Sequence, residues 1–148
     1  MANLKVNEDQ LRLIQRALEF YCRIGIGQFR EIKNHPTFQK HLHEQLKADG
    51  EIDYNTFHSV RETVDDVLNV ARNMLYNELG VSKNGNWGIY NSKVDDSCRD
   101  AHDLVQVIRH EFWKADPDRS NMTVDSSITL ADNKNMNIKC ELDCCMKL

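Results

Sequence analysis

The fold class is decided by the stretch NEDQLRLIQRALEFYCRIGIGQFREIK, which covers residues 7–33. Its apolar residues recur at steps of three and four, the spacing of one face of an amphipathic helix. Asn7 is a good N-cap, and the two acidic residues after it suit the positive end of a helix. The stretch therefore predicts one long helix over residues 7–33. Gly25 and Gly27 each cost such a helix about 1 kcal/mol relative to alanine, which indicates that a backbone or a ligand comes close to them.

Three further helices are predicted after this stretch in the sequence. His35-Pro36 should end the first helix, because proline disfavours helical geometry in the residue before it. A short helix is predicted over residues 37–48, a long one over 53–79 with Gly80 as its C-cap, and another long one over 95–114, closed by Pro117. The third helix has an apolar stripe of Phe57, Val60, Val64, Val67, Leu68, Ala71, Met74 and Leu75. The fourth has one of Ala101, Leu104, Val105, Ile108 and Phe112.

The C-terminal part of the chain has a different pattern. Residues 123–130 and 137–142 alternate in polarity, and the turn-rich residues 131–135 lie between them, which predicts a β-hairpin that packs on the helices or pairs with another chain. The expected fold is mainly α with a C-terminal β-hairpin (α+β), in which three long helices and one short helix pack as a bundle. Its length suits a single domain over 1–148, with a helical core over 1–115, the hairpin over 120–143 and a tail over 144–148.

Composition and charge exclude several classes of protein. The chain is 41% hydrophobic and 28% charged, which argues against wholesale disorder. Its formal charge of -4, with no basic stripe, argues against nucleic acid as the main partner. No apolar run approaches the roughly 20 residues that span a bilayer, and the N-terminus lacks the apolar core of a signal peptide. We therefore expect no membrane association and a cytoplasmic location.

The five cysteines do not predict a metal site. They are Cys22, Cys98, Cys140, Cys144 and Cys145. In a reducing compartment we expect thiols. Zinc sites present paired C-x2-4-C elements with a second ligand pair, whereas the C-terminal three have a different spacing and no histidine follows them. Neither a metal nor a cofactor is expected.

A polar row lies on the fourth helix, opposite its apolar stripe. It consists of Arg99, Asp103, Gln106 and His110, at steps of four, three and four. Arg109 and His102 border the row, and Val107 lies off the core stripe, which indicates that this face is partly covered. Such side chains suit a phosphate together with a base or a sugar hydroxyl. The alternative is a solvated face with an Arg99–Asp103 pair at i,i+4, which contributes only a few tenths of a kcal/mol.

Two further groups of residues could contact a ligand. Trp87 and Tyr90 precede the fourth helix in a loop and could stack on a base, although a tryptophan more commonly fills a helix bundle. Tyr21, Arg23 and Gln28 lie near the glycines of the first helix and are weaker candidates.

Catalytic templates are missing from the sequence. It contains no G-x-S-x-G, H-E-x-x-H, Walker A or G-x-G-x-x-G motif. Asp103 and His110 could form an acid–base pair, but two turns of helix, roughly 10 Å of rise, separate them. We therefore expect a protein that is not an enzyme.

Two blocks of the chain resemble a known family. The stretch ALEFYCRIGIGQF, residues 17–29, looks like the opening helix of a widespread family of small, mostly uncharacterised phage and prophage proteins. WGIY at residues 87–90, Arg99 with Ala101, and DLVQVIRH at residues 103–110 are similar to a later part of the same family. The C-terminal hairpin is similar only in character, and the family has no assigned chemistry.

The resemblance implies a role by analogy. Phage accessory proteins of this size often counter host defence, and the anti-Thoeris and anti-CBASS sponges hold a cyclic nucleotide signal without cleaving it. The leading hypothesis is thus a non-enzymatic protein in the host cytoplasm that sequesters a nucleotide of the cyclic nucleotide or cyclic ADP-ribose type. Its partners would be a small phosphorylated nucleotide and, as a homo-oligomer, its own copies. The alternatives are a protein-interaction module that inhibits or assembles with a host or phage protein, anchored by Trp87 and Arg99, and thirdly a nucleotide hydrolase that uses His110 or His102.

Overall fold

The chain is mainly helical in a computed structural model that describes residues 4–48, 51–77 and 85–116. The elements in chain order are helix α1 (Glu8–Gly25), a 3-10 helix (Phe29–Asn34), α2 (Pro36–Gln45), strand β1 (Lys47–Ala48), strand β2 (Glu51–Ile52), α3 (Tyr54–Leu75) and α4 (Asp96–Ala115). The two short strands pair antiparallel, with Lys47 opposite Ile52. The C-terminal hairpin and tail predicted from the sequence lie outside the described residues.

The contacts within the chain form two compact units. Of the described residues, the first unit contains 4–22 and 89–116, and the second contains 23–48, 51–77 and 85–88. The single domain expected over 1–148 stays a prediction. Within the described residues, no helix combines the length and the apolar character that a membrane crossing requires.

The core of the first unit joins α1 to α4. Leu11 of α1 packs with Ile108 and Phe112 of α4, and Ile14 and Leu18 pack against this cluster. All five lie on the apolar stripes that the sequence predicts, so those stripes are confirmed at these positions. Full burial of side chains of this size stabilises a fold by about 1.5–3 kcal/mol each, which fixes the face that α4 turns toward α1.

Helix α1 ends eight residues earlier than the sequence predicts. Gly27 N donates to Ile24 O at 3.0 Å, and Gln28 N donates to Arg23 O at 2.8 Å. These are the two hydrogen bonds of a Schellman motif, and Gly27 has the positive φ of 90° that the motif requires. The prediction of one helix over 7–33 was wrong because the apolar spacing continues through the 3-10 helix after this cap. The glycine costs the helix nothing, since it lies beyond the helix end.

Helices α2 and α3 begin with side-chain caps. His35 Nδ1 accepts from Thr37 N at 3.3 Å at the start of α2, with Pro36 in the first turn, so His35-Pro36 begins a helix rather than simply ending one. Asp53 caps α3 by accepting from Asn55 N at 3.0 Å. The helices predicted over 37–48, 53–79 and 95–114 are confirmed to within a few residues at each end.

Helix α3 buries a different face from the one that its apolar pattern predicts. Phe57 is buried, but so is Arg72, which is only 2% exposed. The predicted core stripe is wrong at Val67, which is 63% exposed, and at Met74, which is 80% exposed. Val64 and Leu75 of that stripe are exposed as well.

Hydrogen bonds explain this orientation of α3. Arg61 of α3 donates to Gln39 Oε1 at 2.8 Å and to Asn34 Oδ1 at 2.9 Å. Asp65, one turn further, pairs with Lys33 of the 3-10 helix. These contacts turn the polar side of α3 toward the 3-10 helix and α2, and the valines on the other side therefore face solvent.

Candidate ligand-binding face of helix α4

The start of α4 is held by side-chain hydrogen bonds. Asp95 accepts from Ser97 N at 2.9 Å and from the Ser97 hydroxyl, and these bonds lower the pKa of Asp95. Arg99 donates to Asp96 Oδ1 at 2.5 Å and to Asn91 O at 3.1 Å. Arg99 thus pairs with Asp96, at i-3, rather than with Asp103 as the solvated-face alternative supposed.

The centre of the row contains a buried carboxylate. Asp103 is 1% exposed, and its Oδ1 lies 3.4 Å from Nδ1 of His102. Nε2 of His102 lies 3.0 Å from the amide nitrogen of Gln106. In the neutral tautomer with the proton on Nδ1, His102 donates to Asp103 and accepts from Gln106. The three side chains then form one chain of hydrogen bonds along α4.

Two polar atoms of the row are buried without a hydrogen-bond partner. They are Oε1 of Gln106 and Nδ1 of His110, and the two residues are one helical turn apart. The ring of His110 stacks on that of Trp113, with centroids 5.4 Å apart. Leaving a buried polar atom unpaired costs about 1–3 kcal/mol, so each such atom in a folded protein requires an explanation.

The face is sheltered, as the sequence predicts at Val107. Val107 is buried although it lies off the core stripe, so α4 is covered at this position as well as along its core face. The side chains of Arg99 and Arg109 are each 22% exposed. Arg109 pairs with Glu19 of α1 at 2.9 Å. Helix α4 therefore carries two half-buried guanidinium groups in addition to the unpaired atoms of Gln106 and His110.

The remaining candidate residues fall in both units. Tyr21 lies beside the start of α4, where its hydroxyl is 2.7 Å from Ser97 Oγ, and Tyr90 is exposed. Trp87, Arg23 and Gln28 belong to the second unit.

In that second unit, these three residues have contacts of their own. Arg23 donates to Gln28 Oε1 at 3.1 Å beside the Schellman motif. Trp87 N donates to Ile26 O at 2.9 Å, and the Trp87 ring packs edge-on against Tyr76 at 4.8 Å. The sequence predicts that a backbone comes close to the glycines of the first helix, and the backbone that does so is that of Trp87.

A cavity in the second unit was missed from the sequence. It has a volume of about 170 Å³ and is lined by Gly27, Phe29, Arg30, Asp65, Leu68, Asn69 and Arg72. The signal was the spacing of Asp65, Asn69 and Arg72, which lie at i, i+4 and i+7 on one face of α3. This spacing did not predict a cavity because the apolar pattern assigns that face of α3 to solvent.

The two described cysteines are buried thiols. Cys22 and Cys98 are both buried and free, and Cys22 Sγ donates to Cys98 O at 3.4 Å. Burial, with a smaller effect from the neighbouring Cys98, raises the pKa of Cys22 to about 12. Among residues 4–48, 51–77 and 85–116, no group of three His, Cys, Asp or Glu side chains could hold a metal ion.

Comparison with known proteins adds no further constraint on this site. No family model, no curated protein and no solved structure matches the chain.

Proposed function

We propose that this chain is a non-enzymatic binding protein that sequesters a small phosphorylated nucleotide on the polar face of α4. The observation that carries the proposal is the pair of buried, unpaired atoms Gln106 Oε1 and His110 Nδ1. A bound nucleotide offers hydroxyl and amino donors to the first, and a donor or an acceptor to the second. Its binding would remove the free-energy penalty that both atoms carry in the free protein.

Four further residues of the first unit have a role in the proposed site. Arg109 and Arg99 bind phosphate, because the guanidinium fork matches phosphate oxygens. Arg99 is available for this, since its partner Asp96 is exposed and such ion pairs contribute little to stability. Tyr21 and Tyr90 belong to the same unit and are exposed, so either ring can stack on a base.

The hydrogen-bond chain disfavours His102 as the base of a hydrolase, whereas His110, whose Nδ1 is unpaired, stays the candidate base of that alternative. A histidine that acts as a general base needs a ring nitrogen directed at the substrate. Nδ1 of His102 is directed at Asp103, and its Nε2 at Gln106. Asp103 and His102 therefore orient the amide of Gln106, which makes Gln106 the residue that contacts the ligand.

The proposed biological role is counter-defence in a host cell. It rests on the resemblance of residues 17–29, 87–90 and 103–110 to small phage proteins, and on the analogy with proteins that trap a cyclic nucleotide or cyclic ADP-ribose signal. Sequestration needs no turnover, so a His110→Ala variant should still retain the nucleotide.

The proposed homo-oligomer forms through the exposed side of α3. Val60, Val64, Val67, Ala71 and Met74 follow steps of four and three, the spacing of a helix–helix seam. Val67 and Met74 are mostly exposed. We assign this face to α3 of a second copy, since its steps of four and three match those of a seam between two helices.

The second candidate function is a protein-interaction module, favoured by the same exposed face of α3. An unrelated partner protein would then cover Val67 and Met74. Sedimentation of the purified chain separates the two readings, because a self-associating face gives a dimer without any added partner, whereas a docking face for another protein leaves a monomer.

A release experiment tests the proposed function. The chain and its Gln106→Leu variant are purified from cells that make a cyclic nucleotide signal, then heated, and the supernatant is analysed by ultraviolet absorbance and mass spectrometry. We expect an intact nucleotide from the wild type and at least tenfold less from the variant. Gln45→Leu, at an exposed position, is the matched control. Equal amounts from all three proteins, or none from the wild type, would contradict the proposal.

A further inference from the structure

The cavity of the second unit lies between α3 and the segment that follows α1. Its volume is about 170 Å³, and Phe29 and Leu68 contribute apolar wall to it. The ring of Phe29 packs edge-on against Tyr76, with centroids 5.6 Å apart. Since an apolar cavity of about 150 Å³ holds one benzene molecule, with about six heavy atoms, this space holds a ligand of about seven. Such a ligand is much smaller than a whole nucleotide.

Two buried oxygen atoms of the cavity lining accept no hydrogen bond from the described residues. They are Oδ1 of Asp65 and Oδ1 of Asn69. The two residues are four positions apart on α3, so their Cβ atoms are about 5–6 Å apart on one face of the helix. A buried acceptor without a donor carries a free-energy penalty, and a ligand with two hydrogen-bond donors at this separation would remove it.

The surroundings of Asp65 favour a neutral donor over a cation. Its Oδ2 is already paired with the ammonium of Lys33, whose side chain is largely buried. A second cation at Oδ1 would lie close to that ammonium, and the repulsion would offset the attraction to the carboxylate. A hydroxyl group both donates and accepts hydrogen bonds, so it also suits the N–H donors of Arg30 and Arg72 in the lining. An anion that offers only acceptors would leave both oxygens unsatisfied.

We infer that this cavity binds a small neutral polyol. Its hydroxyl groups donate to Oδ1 of Asp65 and Oδ1 of Asn69. Its C–H groups pack against Phe29 and Leu68, where the carbon skeleton buries apolar surface. Water alone satisfies the two oxygens but finds no hydrogen-bond partner at the apolar wall. The inference goes beyond the proposed function, because none of these residues lies on α4.

Isothermal titration with erythritol, a neutral polyol of matching size, tests this site. We expect saturable binding with a Kd of about 1 mM or tighter. Asn69→Leu removes one acceptor and nearly keeps the size of the side chain, so it should bind erythritol at least about tenfold more weakly. Asn55→Leu, the same substitution at an exposed position of α3, should bind erythritol like the wild type.

Two further measurements keep the test decisive. Leu68→Phe retains both acceptors but fills part of the cavity, so it should also weaken erythritol binding at least about tenfold. Thermal unfolding checks that both variants of the lining are folded. The cation 1,4-diaminobutane, which is of similar size, should bind more weakly than erythritol.

Three results would overturn the inference. The first is an absence of saturable erythritol binding to the wild type, which would leave water as the occupant of the cavity. The second is erythritol binding by folded Asn69→Leu or Leu68→Phe with the affinity of Asn55→Leu. The third is tighter binding of 1,4-diaminobutane than of erythritol, which would assign the cavity to a cation.

Discussion

The amide nitrogen of Gln106 lies 3.0 Å from Nε2 of His102, one turn earlier on α4. This contact fixes which way the amide points, because the nitrogen is the donor and Oε1 is left on the other side. Oε1 is buried and unpaired. The hydrogen-bond chain from Asp103 through His102 to Gln106 therefore ends in a buried acceptor to which no described residue donates.

Gly27 should be sensitive to substitution and Gly88 should not. Gly27 has φ of 90°, a conformation that costs a non-glycine residue about 1–2 kcal/mol. Gly27→Ala should lower the free energy of unfolding by about that amount, measured by urea denaturation. An alanine Cβ at Gly88 meets nothing within 4 Å, so Gly88→Ala should leave stability unchanged or slightly raised. Equal effects of the two substitutions would contradict the Schellman ending of α1.

The helix caps Asp53 and Asp95 should make stability fall in acid. The hydroxyl of Thr56 lowers the pKa of Asp53, and that of Ser97 lowers the pKa of Asp95, each with help from backbone N–H groups. A carboxylate whose folded pKa is depressed contributes stability above the unfolded pKa, here near 3.8, and this contribution disappears as the pH falls through the folded value.

The double variant Asp53→Asn, Asp95→Asn tests this assignment. An asparagine still caps a helix but does not titrate. Urea unfolding between about pH 5 and pH 2 should show a shallower loss of stability for the variant than for the wild type. The same steepness in both proteins would show that other carboxylates cause the acid dependence.

Cys22 and Cys98 should resist thiol reagents in the folded protein. The thiolate is the reactive form, and the pKa of Cys22 is raised to about 12 while that of Cys98 is raised by burial. A variant with serine at Cys140, Cys144 and Cys145 isolates the two buried thiols. At pH 8 both should react with Ellman's reagent only after addition of urea. Rapid reaction in native buffer would contradict their burial.

The exposed side of α3 should control the oligomeric state. The double variant Val67→Glu, Met74→Glu places charges on a face that two copies are proposed to share. Because both side chains are mostly exposed, the variant should keep the melting temperature of the isolated chain while sedimentation changes from dimer to monomer. Sedimentation of the wild type as a monomer at all concentrations would contradict the shared face.

The helices were predictable because local signals specify them. Aspartates at 53 and 95 are strong N-caps, and each begins a helix where the sequence predicts one. The end of α1 was not predictable from periodicity, since Phe29 and Ile32 continue the apolar spacing into the 3-10 helix. Gly27 was the correct signal, but a glycine inside a continuous pattern suggests a tolerated defect as readily as a cap.

The apolar pattern could not predict which face of α3 is buried. Periodicity assigns the valines to the core, whereas in the structure ion pairs and hydrogen bonds from Arg61 and Asp65 decide which side is buried. Such contacts depend on residues more than twenty positions away in sequence. The same long-range contacts create the cavity beside Arg72, so the helical spacing of Asp65, Asn69 and Arg72 alone could not locate it.

The positions of the row residues on α4 could be predicted from the sequence, but the hydrogen bonds and ion pairs between their side chains could not. Its residues lie on one covered side of the helix, as the spacing and Val107 indicate. The pairing of Arg99 with Asp96 and of Asp103 with His102 depends on side-chain conformations, and these are not readable from helical spacing alone.

The central claim is that the polar face of α4 binds a nucleotide through Gln106 and its neighbours. Isothermal titration of the wild type and of Gln106→Leu with cyclic dinucleotides and cyclic ADP-ribose isomers tests it most directly. We expect stoichiometric binding of at least one of these compounds without turnover, at least about tenfold weaker in Gln106→Leu because a hydrogen bond to the ligand is lost. Absence of binding to every compound, or equal affinity in both proteins, would contradict the account.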